Sequence, residues 1–194
     1  MEKPLSSMSL EELWTLFPII VSEYNPQYKS WYEIEQASIL SIIKNEGIIR
    51  INHIGSSAVE GLLSKPTVDI LMEIDGCCNV TELIGTLETA DWTLMQQKSD
   101  PVRFSFCKGY TSAGLAEKSY HLHVVYHGNW DELYFRDLLI THPDIANKYG
   151  NLKLRLSKDF ANDRDGYTRA KSSFIKQYSS FAKQLFSNIH KPMQ

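Results

Sequence analysis

Apolar positions change period along the chain, and the changes mark the elements. Ser9 followed by Glu12 reads as a capping box, opening a short helix with Leu10, Leu13, Leu16 and Phe17 apolar. Pro18 and Asn25-Pro26 punctuate the stretch after it. From Gln27 to Asn45, residues Tyr28, Trp31, Tyr32, Ile39, Ile42 and Ile43 recur at helical spacing, and Gly47 then acts as a stop. The pattern next predicts strands at Ile48–Ile54 and Thr67–Ile74, joined by a Gly-, Ser- and Pro-containing loop. A helix is expected over Val80–Ala90. Strands are expected at Asp91–Lys98 and Val102–Lys108, turning at Ser99-Asp100-Pro101. Gly109–Lys118 reads as a loop and Ser119–Tyr126 as a further strand. Three helical stretches close the chain: Glu132–Thr141, Pro143–Leu156 and Asp165–Phe186. Helices, then mixed strands with one helix, then helices again make the fold class α+β: a small mixed sheet covered by helices, with a helical C-terminal segment. The 194 residues suit one domain.

Composition narrows the classes. Hydrophobic residues at 43% and charged residues at 22% are those of a globular chain, which disfavours disorder and coiled coil. No run of about 18 apolar residues occurs, so no membrane span is expected. The N-terminal stretch has no apolar signal core. Three cysteines, Cys77, Cys78 and Cys107, form neither a disulfide framework nor a CxxC zinc pattern, and a reducing, cytoplasmic setting is expected. Charge is uneven. From Thr141 onward ten Lys/Arg face four Asp/Glu, a net of +6, while the first 140 residues carry −9. That basic segment could meet phosphate or RNA, or could be a solvated face partnering the acidic part. Nucleic acid is therefore a possible partner but not the favoured one.

The segment from His53 to Leu71 is the most informative. A strand runs into Gly55-Ser56-Ser57, a loop comes next, and a strand returns with Asp69 inside an apolar run. Glycine lets backbone approach a ligand closely, and successive N–H groups with Ser hydroxyls can cradle phosphate. A strand carboxylate can hold a divalent metal that bridges such phosphates. A tight turn between two core strands would show the same spacing. His121 and His123, two apart, present their imidazoles on one strand face and could converge with Asp69. Two His and one carboxylate suit Mn, Fe, Ni or Zn better than Mg. Two structural histidines are the alternative, and His53 reads more readily as an anchor of its strand.

Glu35 interrupts the apolar stripe of its helix and needs a partner when buried, whether as an extra ligand, a base or a structural acid. Lys65 precedes Pro66, which extends the backbone there and could aim an ammonium at phosphate. Arg103 is a second phosphate-binding candidate. Tyr167 and Lys171, four apart on a helix, could close over a ligand or pack on the sheet. Arg136 and Asp137 read as a structural pair. No GxxxxGK(S/T), GxGxxG or GxSxG is present, which disfavours P-loop, Rossmann and serine-hydrolase chemistry.

Four blocks carry a resemblance: Tyr24-Asn-Pro with Trp31-Tyr-Glu-Ile-Glu; His53-Ile-Gly-Ser-Ser-Ala-Val through Lys65-Pro-Thr-Val-Asp69-Ile; His121-Leu-His-Val; and Phe135-Arg-Asp-Leu-Leu, continuing to Tyr167 and Lys171-Ser-Ser-Phe-Ile. The second resembles the Gly-Ser motif of the nucleotidyltransferase (polymerase-beta-like) fold, and the chain as a whole resembles the GrpB family. The resemblance implies a nucleotidyltransferase-like sheet with helical additions. About the reaction it implies little; the expected ligand is a nucleotide or other phosphorylated small molecule, bound with a divalent metal (Mg, Mn or Zn). Asp69, His121 and His123 would be ligands or acid/base groups. Gly55, Ser56, Ser57, Lys65 and Arg103 would hold phosphate, and Glu35, His53 and Lys171 would stand behind them. Transfer of a nucleotidyl or phosphoryl group is one expectation; a non-catalytic binding module is the other. One departure bears on that choice. Active nucleotidyltransferases place a second acid two residues from the first, about 6.6 Å along the strand. Here Thr67 and Leu71 occupy those positions, and Glu73 lies twice as far away.

Overall fold

A computed structural model describes residues 3–43 and 47–192. Its elements are α1 (Leu10–Leu16), α2 (Tyr28–Ile42), β1 (Ile48–Ile54), β2 (Val68–Ile74), α3 (Val80–Thr89), β3 (Thr93–Ser99), β4 (Val102–Thr111), β5 (Gly114–Tyr126), α4 (Asp131–Thr141), α5 (Pro143–Asp159) and α6 (Arg164–Leu185). The strands form one mixed sheet in the order β1-β2-β5-β4-β3. Only β2 and β5 run parallel; the other neighbours are antiparallel. This is the α+β architecture that the pattern predicts.

Each expected element forms, with shifted ends. The capping box closes on both sides at α1: Glu12 N–H donates to Ser9 Oγ at 3.2 Å, and Ser9 N–H donates to Glu12 Oε2 at 2.7 Å. The expected end of α2 at Asn45 lies outside the described residues. The expected loop over Gly109–Lys118 is a correction. There β4 continues to Thr111, turns, and returns as the early half of a 13-residue β5. Gly109 is a bulge residue rather than a loop signal. The register shifts between Lys108 and Tyr110, and Gly109 adopts a φ of +83°, where an added Cβ would collide with Lys118 O.

The sheet has two unlike faces. On one, Val68, Ile70 and Met72 of β2 join Tyr120, Leu122 and Val124 of β5 and Phe104 and Phe106 of β4. Helices α2 and α3 cover them with Tyr28, Trp31, Ile39, Leu83 and Leu87. Glu35 faces this side, the far side from Asp69, and accepts from Lys108 Nζ at 2.8 Å. It is a structural acid, and its expected place behind the site is corrected. On the other face Ile54, Leu71 and Val125 pack under Leu133 of α4. There α4, α5 and α6 form a second core around Tyr134, Phe135, Leu138, Tyr149 and Ala182.

Glu73 shares Asp69's face but serves the fold. Fully buried, it accepts from Arg50 Nε at 2.6 Å, from Gly128 N–H at 3.1 Å, and bonds His127 Nδ1 at 2.9 Å. Arg50 in turn donates to His190 O, pinning the end of the chain. Removing one partner of such a pair leaves the other charge uncompensated. Glu73→Ala is expected to cost about 3 kcal/mol of unfolding free energy, near the low end for buried pairs because Arg50 keeps some solvent access. Denaturant unfolding measures it, and a loss under about 1 kcal/mol would contradict the assignment.

Candidate functional site

The polar half of the second face is where the chemistry collects. In register, Asp69 of β2 lies beside His121 of β5, and His123 lies beside Ser105 of β4. Past β1, Gly55 has a φ of +69°, and a Cβ there would stand 2.6 Å from Asp69 Oδ2. Glycine therefore lets the Gly-Ser turn run directly against the carboxylate. Helices α5 and α6 close the other side, leaving a cavity of about 340 Å³. Of the residues singled out in the sequence, Gly55, Ser56, Ser57, Lys65, Asp69, Arg103, His123, Tyr167 and Lys171 line it. His121 lies behind Asp69, and His53 projects to the opposite sheet face, stacked on Tyr32 with ring centroids 4.8 Å apart.

Asp69 is the hub of the hydrogen bonding. Its Oδ1 bonds His121 Nδ1 at 3.0 Å, His121 Nε2 bonds Tyr110 OH at 2.8 Å, and Arg164 Nη2 donates to the same phenol oxygen at 3.2 Å. One tautomer satisfies the chain: Tyr110 donates to Nε2, and Nδ1–H donates to Asp69. The His121 bond and the surrounding positive charge hold the Asp69 carboxyl far below its ordinary range, against desolvation. Burial lowers His121 and takes His123 down to about 4, so both imidazoles are neutral at pH 7. His123 Nδ1 bonds Ser105 Oγ at 3.2 Å. His53 bonds Ser57 Oγ at 3.1 Å, so that hydroxyl braces the turn. Arg136 donates to His53 O at 3.0 Å and pairs with Asp137 at 2.7 Å, the structural role expected of them.

The donors match a divalent ion poorly. His121 engages both ring nitrogens, which leaves Asp69 Oδ2 and His123 Nε2 of the expected set, and the neighbouring Glu132 is engaged by Arg103. Among the described residues no three His, Cys, Asp or Glu side chains come together as a metal-holding group. The expected set of Asp69, His121 and His123 is thus an acid, its hydrogen-bond partner and one further imidazole. Leu71, at the position of a second acid, is buried under α4. Thr67 is engaged with Ser119 Oγ at 3.3 Å.

Ammonium groups dominate instead. Lys65, Lys153 and Lys171 all line the cavity, and among the described residues none forms an ion pair. Aromatic faces support them. Lys153 stands 4.6 Å from the Tyr149 ring centroid, and Lys171 and Lys65 stand 4.7 and 5.9 Å from that of Tyr167. Lys153 also donates to Ser56 Oγ at 2.6 Å and to Leu63 O. Desolvation first, then repulsion from Lys171, lowers Lys65 and Lys153 to about 7. Desolvation lowers Lys171 as well. Arg103 is paired, donating to Glu132 at 2.6 Å. With all three lysines protonated the excess over Asp69 is two positive charges; with Lys65 and Lys153 lowered to about 7 it is smaller at neutral pH. Two buried hydroxyls on the cavity wall, Ser64 Oγ and Tyr167 OH, have no partner among the described residues.

Lys153 is the cavity residue that the sequence reading misses. Its signal is Ile145, Tyr149, Lys153 and Leu156 on one helical stripe, a lysine where an apolar residue belongs. The +6 segment is split: Lys153, Arg164 and Lys171 surround the site and Lys183 pairs with Asp131 at 2.5 Å, while Lys148, Arg155, Lys158, Arg169, Lys176 and Lys191 face solvent. Cys107 lies on this face too, beside His121, but burial pushes its thiol up to about 11 and keeps it unreactive.

The sequence profile of the GrpB protein family matches residues 18–180. The chain belongs to the GrpB family. It is 31% identical over 152 residues to a UPF0157 protein of Pseudomonas aeruginosa, covering 78% of this chain and 62% of that protein's length. It is 29% identical over 161 residues to the glutamate-rich protein GrpB of Alkalihalophilus pseudofirmus, covering 81% of this chain and 91% of that one. The crystal structure of conserved protein GrpB from Enterococcus faecalis superposes with a TM-score of 0.75 at 29% identity, covering 87% of this chain and 99% of that one. These relatives' names carry no reaction. Among the described residues no helix is long and apolar enough to cross a membrane.

The lysines give the site a stability signature. Lys65 is held below its ordinary value, so the unfolded chain binds the extra proton between pH 7 and 10.5. Folding pays the cost of that buried charge below pH 7 and escapes it as pH rises. Lys65→Met is therefore expected to be more stable than wild type at pH 6, with the difference shrinking toward pH 10. Paired denaturant unfolding across that range measures it, and a pH-independent difference would contradict the buried-ammonium reading.

Proposed function

We propose that this protein of the GrpB family binds a phosphorylated small molecule, a nucleotide or another phosphate ester, through its ammonium groups and without a resident metal. One observation carries the reading: Lys65, Lys153 and Lys171 converge on a cavity where Arg103 and Glu132 cancel each other and Asp69 is the remaining carboxylate, so the lysines hold a positive excess that a phosphate would offset. Lys153 and Lys171 stand on aromatic rings on the helical side, and the Gly55-Ser56 turn lies opposite. The phosphate would sit between them, accepting charge-assisted hydrogen bonds. Ser64 and Tyr167 offer unengaged hydroxyls to the rest of the molecule. The engaged His121 and the apolar Leu71 argue for binding over two-metal transfer.

A thermal-shift series tests this. Inorganic phosphate, phosphate esters and nucleotides are compared with and without EDTA and Mg²⁺. A ligand at a hundred times its dissociation constant adds about 2.7 kcal/mol, roughly 5–10 °C for a domain of this size. The expected shift survives EDTA. Lys171→Ala should weaken affinity roughly 10- to 100-fold, the loss of one charge-assisted contact. Asp69→Asn should keep or tighten binding, because the carboxylate competes with phosphate for the same ammonium groups. A shift that requires Mg²⁺ and vanishes in Asp69→Asn would overturn the metal-free reading and restore the metal-bridged one.

A further inference from the structure

The three lysines are not equivalent. Lys153 is committed, its Nζ donating to Ser56 Oγ and Leu63 O. Lys171 lies close on the Tyr167 ring. Lys65 is farther from that ring and makes neither an ion pair nor a side-chain hydrogen bond among the described residues. Its base is nonetheless rigid. Ser64 exchanges two backbone hydrogen bonds of 2.9 Å with Ser22, Lys65 O accepts from Thr67 N–H at 2.7 Å, and Pro66 comes next in the chain. An amine so placed hangs from an anchored backbone and is partly neutral at pH 7. Lys171 and Arg164 are the neighbouring cations that disfavour its proton. A lysine desolvated beside other cations is the pattern of an activated amine nucleophile. Beside it, the buried Tyr167 phenol has no hydrogen-bond partner among the described residues and is pushed up to about 12 by burial, so it remains a proton donor at neutral pH.

We propose that Lys65 is an imine-forming nucleophile, and that the ligand of the cavity is a phosphorylated aldehyde or ketone whose carbonyl it captures. This rests on the phosphate reading above and names the ligand class. Phosphate seated by Lys153 and Lys171 would hold the carbonyl carbon within reach of Lys65 Nζ. The C–N bond forms as the C=O π pair moves to oxygen, with Tyr167 OH donating a hydrogen bond to that oxygen. The carbinolamine then loses water. Its oxygen leaves with the two protons that began on the neutral amine, and a C=N bond remains. The balance needs no oxidant, reductant or metal.

The test treats the full chain with glyceraldehyde 3-phosphate in the presence of sodium cyanoborohydride, which reduces the imine to a stable secondary amine. Intact mass and peptide mapping locate the adduct. The expected result is one adduct on Lys65, formed at least about tenfold faster than with unphosphorylated glyceraldehyde because the bound phosphate places the carbonyl. Inorganic phosphate should suppress it, and Lys65→Arg, shown folded by its thermal midpoint, should not form it. Equal rates for the two aldehydes, with adducts spread over exposed lysines, would overturn the proposal. If phosphate still gives its thermal shift but Lys65 takes no adduct, the imine falls and the binding reading stands. If phosphate neither shifts the protein nor protects Lys65, the binding reading falls and the imine assignment falls with it.

Discussion

Strand β2 must satisfy two environments at once, and the rest of the molecule is arranged around that demand. It pairs on both edges, so its backbone groups are bonded to β1 and β5 and its side chains alternate between two covered faces. Val68, Ile70, Met72 and Ile74 bury against α2 and α3. The alternate set, Asp69, Leu71 and Glu73, meets three different fates within seven residues: a cavity, an apolar contact with α4, and a buried ion pair with Arg50. A carboxylate at either end of a central strand is tolerable only with dedicated partners. The parallel pairing with β5 brings His121 to Asp69 at one end and His127 to Glu73 at the other.

Charge is balanced at one end and left unbalanced at the other. Glu73 is matched by a guanidinium, an imidazole and an amide N–H, and its surroundings are closed. Asp69 has His121 within hydrogen-bonding distance and three lysines around it that form no ion pair among the described residues. Three lysines held near one another in a desolvated cleft raise the free energy of the empty protein wherever they are protonated. Fold stability alone would favour apolar replacements of similar volume. Such cost is tolerated where a ligand relieves it, and perturbed titratable groups in a cleft are a mark of function.

The polar network behind the site fixes positions rather than supplying reacting groups. Arg164, Tyr110 and His121 pass their hydrogen bonds toward Asp69 Oδ1, while His53 and Ser57 brace the turn from the other face of the sheet. The carboxylate and the Gly-Ser turn are thereby held against each other, with Gly55 as the residue that permits the approach. Lys153, reaching from α5 to Ser56 Oγ, ties the helical half of the molecule to the sheet half at the cavity itself.

Periodicity, with capping and turn signals, was enough for most of the elements, their order and the α+β class, because local burial patterns are written residue by residue. It also separated Asp69 from its apolar neighbours and marked the Gly-Ser turn, since a strand acid and a turn glycine break a local pattern. Gly109 misled because a bulge glycine and a loop glycine look alike until the partner strand is known. What the sequence left open was which face each polar group meets. Glu35 and Lys153 are the same signal, a charge inside an apolar helical stripe, yet one pairs with Lys108 on the far face and the other enters the cavity. His121 and His123 are two apart on one face, yet only His121 bonds Asp69. Those outcomes depend on strand order and on which helix crosses which strand. They arise from contacts between residues far apart in the chain, and only the tertiary structure decides them.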